Sequence, residues 1–273
     1  NVVATATGKT LLPPLGIKSF RGVKVAIIGM TLKATPTIVT PADVAGLEFR
    51  DEAETVNQWV PHLRRRGVEA IVVLVHQGGF QASGLSDING CDGNLANSEL
   101  ARFVERLDNA VDLVISGHTH AAYNCSAGTV DVTSAGGVVT RTPRPTGLAN
   151  ATGRLIPVTS ASAFGRVLTD IDVTLDPRTR DITAVTATNR LVDRSDAEIN
   201  TAIAADPALR NIVSAYNGLV SPIANAVIGS ITATLSNSAD AAGNMPAGEL
   251  LADSQLAATA PAGFGNATIA FMN

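Results

Sequence analysis

Two histidines one residue apart, His118 and His120, sit in the stretch Asp112 to Cys125, DLVISGHTHAAYNC, and a third, His76, sits in AIVVLVHQGG, residues 70–79. Imidazole is the commonest protein ligand for zinc, manganese and iron, so these three are the candidate metal ligands of the chain. The competing reading is polar loop histidines without a ligand. What separates the two is the elements that carry them. Leu113 to Ser116 reads as a short buried strand stopped by Gly117, and Ala70 to Val75 as a second one followed by Gly78 and Gly79. Both strands deliver a histidine at the carboxyl end, where ligands bind in open α/β sheets. In an extended segment alternate side chains share one side, so His118 and His120 are expected to face a common site with Thr119 turned away. The fourth histidine, His62, lies mid-helix beside Arg64 to Arg66 and is expected to be exposed and not a ligand, while Val56, Trp59, Val60 and Leu63 face inward or rim the sheet.

The elements before the His pair alternate. Gly22 to Met30 reads as a central strand, and Asp51 to Gly67 as a helix with acids in its first turn, bases in its last, and a possible kink at Pro61. After the strand at Ala70, Asn97 to Leu107 reads as a helix capped by Asn97 or Ser98, and the strand to His118 follows. After Cys125 the pattern turns to short β-branched runs: Thr129 to Thr133, Leu155 to Thr159, Leu168 to Leu175 and Ile182 to Asn189, expected as a second sheet against the first. The expected fold class is therefore α/β (an α+β sandwich). Its domains would be 1–195, a helical linker at 196–228, and the start of a C-terminal α/β domain at 229–273. In that last part Val227 to Leu235 and Thr268 to Met272 read as strands and Gly248 to Thr259 as a helix.

Composition narrows the classes. The 273 residues are 45% hydrophobic with a net charge of −4, which suits a chain with a proper core. Arg64 to Arg66 is the largest basic cluster, which argues against a nucleic-acid surface. No apolar run is long enough to span a bilayer, and the first ten residues do not read as a signal peptide. The two cysteines, Cys91 and Cys125, lie in polar, Gly-rich loops. A disulfide is expected, which would imply an oxidising compartment, with free thiols and metal ligation as the alternatives. Ser160 and Ser162 lack a G-x-S-x-G elbow, so a serine-hydrolase reading has little support. Asn124, Asn150 and Asn266 match the glycosylation triplet, a frequent chance match.

In this order, VVLVHQGG, VDLVISGHTHAAYNC, VTSASAFGRVLTDIDVTLD, GELLADSQLAAT and IAFMN resemble the bacterial 5′-nucleotidases of the calcineurin-like metallophosphoesterases, including enzymes with 2′,3′-cyclic-nucleotide phosphodiesterase activity. The resemblance implies a partial two-sheet metallophosphoesterase domain that hydrolyses nucleotides or other phosphoesters with two divalent ions (Zn, Mn, Mg, Ca or Co). It implies that His76 and His118 bind one ion and His120 the other, and that the protein is periplasmic, secreted or on the cell surface. The family's D-x-H, bridging G-D and G-N-H-[DE] motifs do not occur before His76, so no catalytic residue is assigned. The chain is expected to be an internal piece of a larger enzyme, inactive alone and holding at most one ion weakly. The alternatives are a non-catalytic scaffold that has lost its metal centre, and a relative of the thiosulfohydrolases.

Overall fold

The computed structural model describes residues 1–82, 87–133, 139–193 and 195–271. Its strands are β1 (Val2–Ala4), β2 (Leu15–Phe20), β3 (Val23–Met30), β4 (Leu47–Phe49), β5 (Ala70–Val75), β6 (Leu113–Ser116), β7 (Ala122–Cys125), β8 (Thr129–Thr133), β9 (Val139–Pro143), β10 (Leu148–Ala149), β11 (Leu155–Ile156), β12 (Val158–Ala161), β13 (Val167–Asp176) and β14 (Asp181–Leu191). The helices are α1 (Glu52–Arg64), α2 (Glu99–Glu105), α3 (Ala197–Ala205), α4 (Pro207–Ala224) and α5 (Pro246–Thr259).

Six strands form the main sheet in the order β2-β3-β5-β6-β12-β7. The four inner strands run parallel, and the edges β2 and β7 pair antiparallel. This is the mixed α/β architecture the alternating elements imply. Inner strands buried on both faces need apolar runs, and AIVVLV of β5 is such a run. One face packs on α1 and α2 through Ile28, Val56, Leu63, Val73, Leu100 and Val104. The other meets the β13–β14 hairpin through Val25, Val72, Leu113 and Val185, with Ile171, Leu175 and Ile182 beside them. A cleft of about 1090 Å³ remains between that face and the hairpin, so the second layer covers the sheet only in part.

Capping fixes the helix starts. Asp51 accepts from the Glu54 N–H at the head of α1, and Ser98 from the Ala101 N–H at the head of α2. Pro61 is accommodated inside α1, and Trp59 is partly buried against the core. His62 is exposed and bonds Arg65 at 2.8 Å.

Several expectations need correction. The run Leu155 to Thr159 is not one strand of a second sheet: Leu155 and Ile156 form β11 against β10, and Val158 and Thr159 begin β12, which inserts beside β6 in parallel and so lies in the main sheet. The strand β2, which no apolar run announced, forms because Arg21 and Gly22 (φ 48° and 89°) close a tight hairpin onto β3. Val227 to Leu235 is not a strand. Val227 and Ile228 are 92% and 99% exposed, and an extended run without a partner has no ladder to hold it. Residues 268–271 are likewise not strand, and Met272 lies outside the described residues.

The chain divides into the units Asn1–Asp196 and Ala197–Asn273. In the second unit α3, α4 and α5 bury no residue.

Candidate functional site

β5 and β6 are neighbours in parallel, with Leu74 opposite Ile115, so the loops that leave their carboxyl ends meet. The His76 N–H is held by the Met30 carbonyl at 2.9 Å, which continues the β3–β5 ladder by one residue and fixes where the imidazole starts. His118 Nδ1 stands 3.3 Å from His76 Nε2. Their rings are 5.0 Å apart and tilted by 59°. Burial first, and then the neighbouring charges of His76 and His120, hold the His118 imidazole below its ordinary pKa, which favours its neutral form.

The two loops are latched to each other. Gly117 N–H donates to the Gln77 carbonyl at 3.1 Å, and Thr119 Oγ donates to the Gly79 carbonyl at 2.9 Å. Gly78 is required by this closeness, since a Cβ there would overlap the Gly117 carbonyl and the Thr119 side chain. Thr119 thus faces the partner loop and does structural work there.

The expected extended course of Gly117 to His120 is not what forms. Thr119 N–H bonds the Gly117 carbonyl at 2.8 Å, making a three-residue turn around His118 (φ 69°), and His120 is also left-handed (φ 59°). Two left-handed residues cancel the alternation of an extended chain, so His118 and His120 do not simply share a side. Instead His118 joins His76, and the exposed ring of His120 lies edge-on to Phe164 at 5.5 Å. Such backbone strain is costly and concentrates at functional sites.

Two nitrogens on one tetrahedral ion with bonds of about 2.0–2.1 Å lie about 3.3 Å apart. The His76–His118 pair therefore fits two positions around one divalent ion. Among the described residues no group of three or more His, Cys, Asp or Glu could hold a metal ion. A cleft of about 680 Å³ opens beside the pair, with Asn1, Met30, Thr31, His76 and Gly117 on its wall.

Around the site lies a buried polar frame. Ser116 Oγ meets Tyr123 Oη at 2.6 Å and donates to the Thr159 carbonyl at 2.8 Å. Ser160 donates to the Ala121 carbonyl at 2.7 Å and Ser162 to the His120 carbonyl at 3.1 Å, so both hydroxyls tie backbone and neither bonds an imidazole among the described residues. Cys91 and Cys125 stand at disulfide distance, Cα atoms 5.1 Å apart, joining the loop after His76 to β7 after His120. Next to them Asn124 donates to the Asn89 side chain at 3.1 Å and to the Ala187 carbonyl at 2.6 Å, while Asn189 donates to the Ile88 and Ser160 carbonyls at 2.7 and 3.0 Å. Buried Arg144 donates to the Ala187 carbonyl at 2.8 Å. Sequence reasoning missed this frame. Its only signal was the run of Asn and Gly around Cys91, and the one matched feature, the triplet at Asn124, is buried and closed to modification.

Residues 6–122, which include the three candidate ligands His76, His118 and His120, match the model of the calcineurin-like phosphoesterase family. The chain is 27% identical over 258 residues to an endonuclease, YhcR, of Bacillus subtilis, covering 94% of the chain and 18% of that protein. It is 29% identical over 119 residues to a 5′-nucleotidase of Vibrio cholerae, covering 44% of the chain and 20% of the relative. The chain thus spans about a fifth of the length of these two curated relatives. Among solved structures, a 5′-nucleotidase precursor from Thermus thermophilus superposes with a TM-score of 0.59 at 22% identity, over 95% of this chain and 45% of that one. That likeness speaks to the fold.

Proposed function

We propose, on the premise that residues 6–122 are a calcineurin-like phosphoesterase domain, that the chain supplies nitrogen ligands for metal-dependent hydrolysis of phosphate esters. Nucleoside 5′-monophosphates and 2′,3′-cyclic nucleotides are the substrates we infer, in keeping with the 5′-nucleotidase among its relatives. The observation that carries the reading is the 3.3 Å approach of His76 Nε2 and His118 Nδ1 at two parallel strand ends. A bound divalent ion would supply positive charge to the phosphate and an activated water. The chain's own part is positioning. The Thr119–Gly79 and Gly117–Gln77 bonds hold the two imidazoles in register. His120 is the ligand we assign to a second ion.

Taken alone, the chain should be inactive, because no carboxylate among the described residues joins the histidines to offset the charge of two dications. At 4 Å their repulsion is of order 16 kcal/mol at an effective dielectric of about 20. The same donor set favours a second reading, a binding or scaffold domain without catalysis. We place the protein outside the cytoplasm, since a Cys91–Cys125 bond suits an oxidising compartment.

The experiment is an assay of the purified chain in excess Mn²⁺ or Zn²⁺ with AMP, 2′,3′-cyclic AMP and a single-stranded oligonucleotide, repeated in the longest natural form of the protein. Hydrolysis of the mononucleotides by the long form, lost in His118→Ala, supports the phosphoesterase. Absence of hydrolysis by the long form leaves the scaffold.

A further inference from the structure

His120 is exposed and left-handed, and an imidazole in that position has no core packing to choose among its rotamers. The 162–166 turn compensates. Ser162 Oγ donates to the His120 carbonyl at 3.1 Å, which fixes the turn against the backbone of His120 itself. Phe164 then lays its ring against the imidazole, centroids 5.5 Å apart and planes inclined by 66°. The turn is built for this at a cost: Ser162 and Phe164 both take positive φ, 62° and 58°, a genuine outlier for a bulky residue. The return is not core burial, because Phe164 is 73% exposed. Arg166 sets its guanidinium 5.2 Å from the centre of the same ring, within cation–π range, so the ring is held from a second direction.

We propose that Phe164 is a positioning residue for His120: with Ser162 and Arg166 it restricts the imidazole to one rotamer beside the His76–His118 pair. The proposal deepens the reading of His120 as a metal ligand and rests on it for its functional meaning. A ligand held in one rotamer loses less freedom when an ion binds, and sites left about 1 Å too loose are those that fail to work.

The experiment uses the 273-residue chain, isotope-labelled and metal-free, with Phe164→Leu, Phe164→Tyr and Arg166→Gln. The three-bond Hα–Hβ couplings of His120 report its rotamer, and those of His118 serve as the internal control. In the parent and in Phe164→Tyr they should show one rotamer. In Phe164→Leu they should average, with Arg166→Gln between, while His118 and the thermal midpoint stay unchanged. His120 couplings unchanged in Phe164→Leu would overturn the proposal. If instead His118→Ala leaves Mn²⁺ affinity intact, the metal reading fails, and the His120 couplings still decide whether Phe164 positions it.

Discussion

His76 Nε2 and His118 Nδ1 approach to 3.3 Å although 42 residues separate them in sequence, because β5 and β6 lie side by side in parallel and end together. A single ion can be held there by two imidazole nitrogens. We expect the chain to bind one Mn²⁺ or Zn²⁺ per molecule, and His76→Ala or His118→Ala each to weaken that binding at least tenfold, about 1.4 kcal/mol. Calorimetric titration checks this. A stoichiometry of two, or a His118→Ala chain that binds as well as the parent, would refute it.

The latch between the two loops should matter to stability as well as to the site. Thr119→Val removes the hydroxyl that the Gly79 carbonyl accepts and should cost about 1–2 kcal/mol in urea unfolding. Gly78→Ala forces a methyl group onto the Gly117 carbonyl and should cost more, about 2–4 kcal/mol, since backbone must move. If Gly78→Ala proved the milder of the two, the close approach described for these loops would be wrong.

The histidines were legible in the sequence because two apolar strands each ended in one, and a parallel sheet brings strand ends together. Their relative orientation was not legible. The left-handed turns at His118 and His120 depend on bonds to Gln77 and Gly79, some 40 residues away, and no local pattern reports them. Leu155 to Thr159 was read as one strand of a second sheet; it forms β11 and the first half of β12, and β12 lies in the main sheet, since such a run carries no mark of which neighbour it will pair with. The frame of Asn89, Asn124, Asn189 and Arg144 was invisible for the same reason: buried amides look like loop residues until their acceptors are known.

Cys91 and Cys125 close a loop of 34 residues. In the chain-entropy account a bond between them contributes about 3–4 kcal/mol. Denatured protein prepared without reductant should show no reactive thiol, and Cys91→Ser with Cys125→Ser should lower the unfolding free energy by about that amount. Two thiols per chain in protein from an oxidising compartment would rule the bond out.

The last expectation concerns Asp112, at the opposite end of β6 from His118. Its carboxyl is buried, with 2% of its side chain exposed. Burial is the largest influence and pushes its pKa up from 3.8 to about 7, and the charge of Asp181 adds to that; the Ile71 N–H and Arg154 oppose it. The carboxyl accepts from Ile71 at 2.9 Å and from Arg154 at 2.7 Å. A carboxyl with a raised folded pKa binds more protons in the native than in the unfolded chain between those two values, so its contribution to stability falls as pH rises. The whole protein has other titrating groups, and a difference measurement isolates this one. The unfolding free energy of the parent minus that of Asp112→Asn should decline from pH 4 to pH 7, by a few kcal/mol at most, and level off above. Asparagine keeps an acceptor for the Ile71 N–H and does not titrate. A difference that instead rose with pH over that range would mean that the Arg154 ion pair outweighs burial, and the assignment of Asp112 as a proton-holding group in the folded chain would be withdrawn.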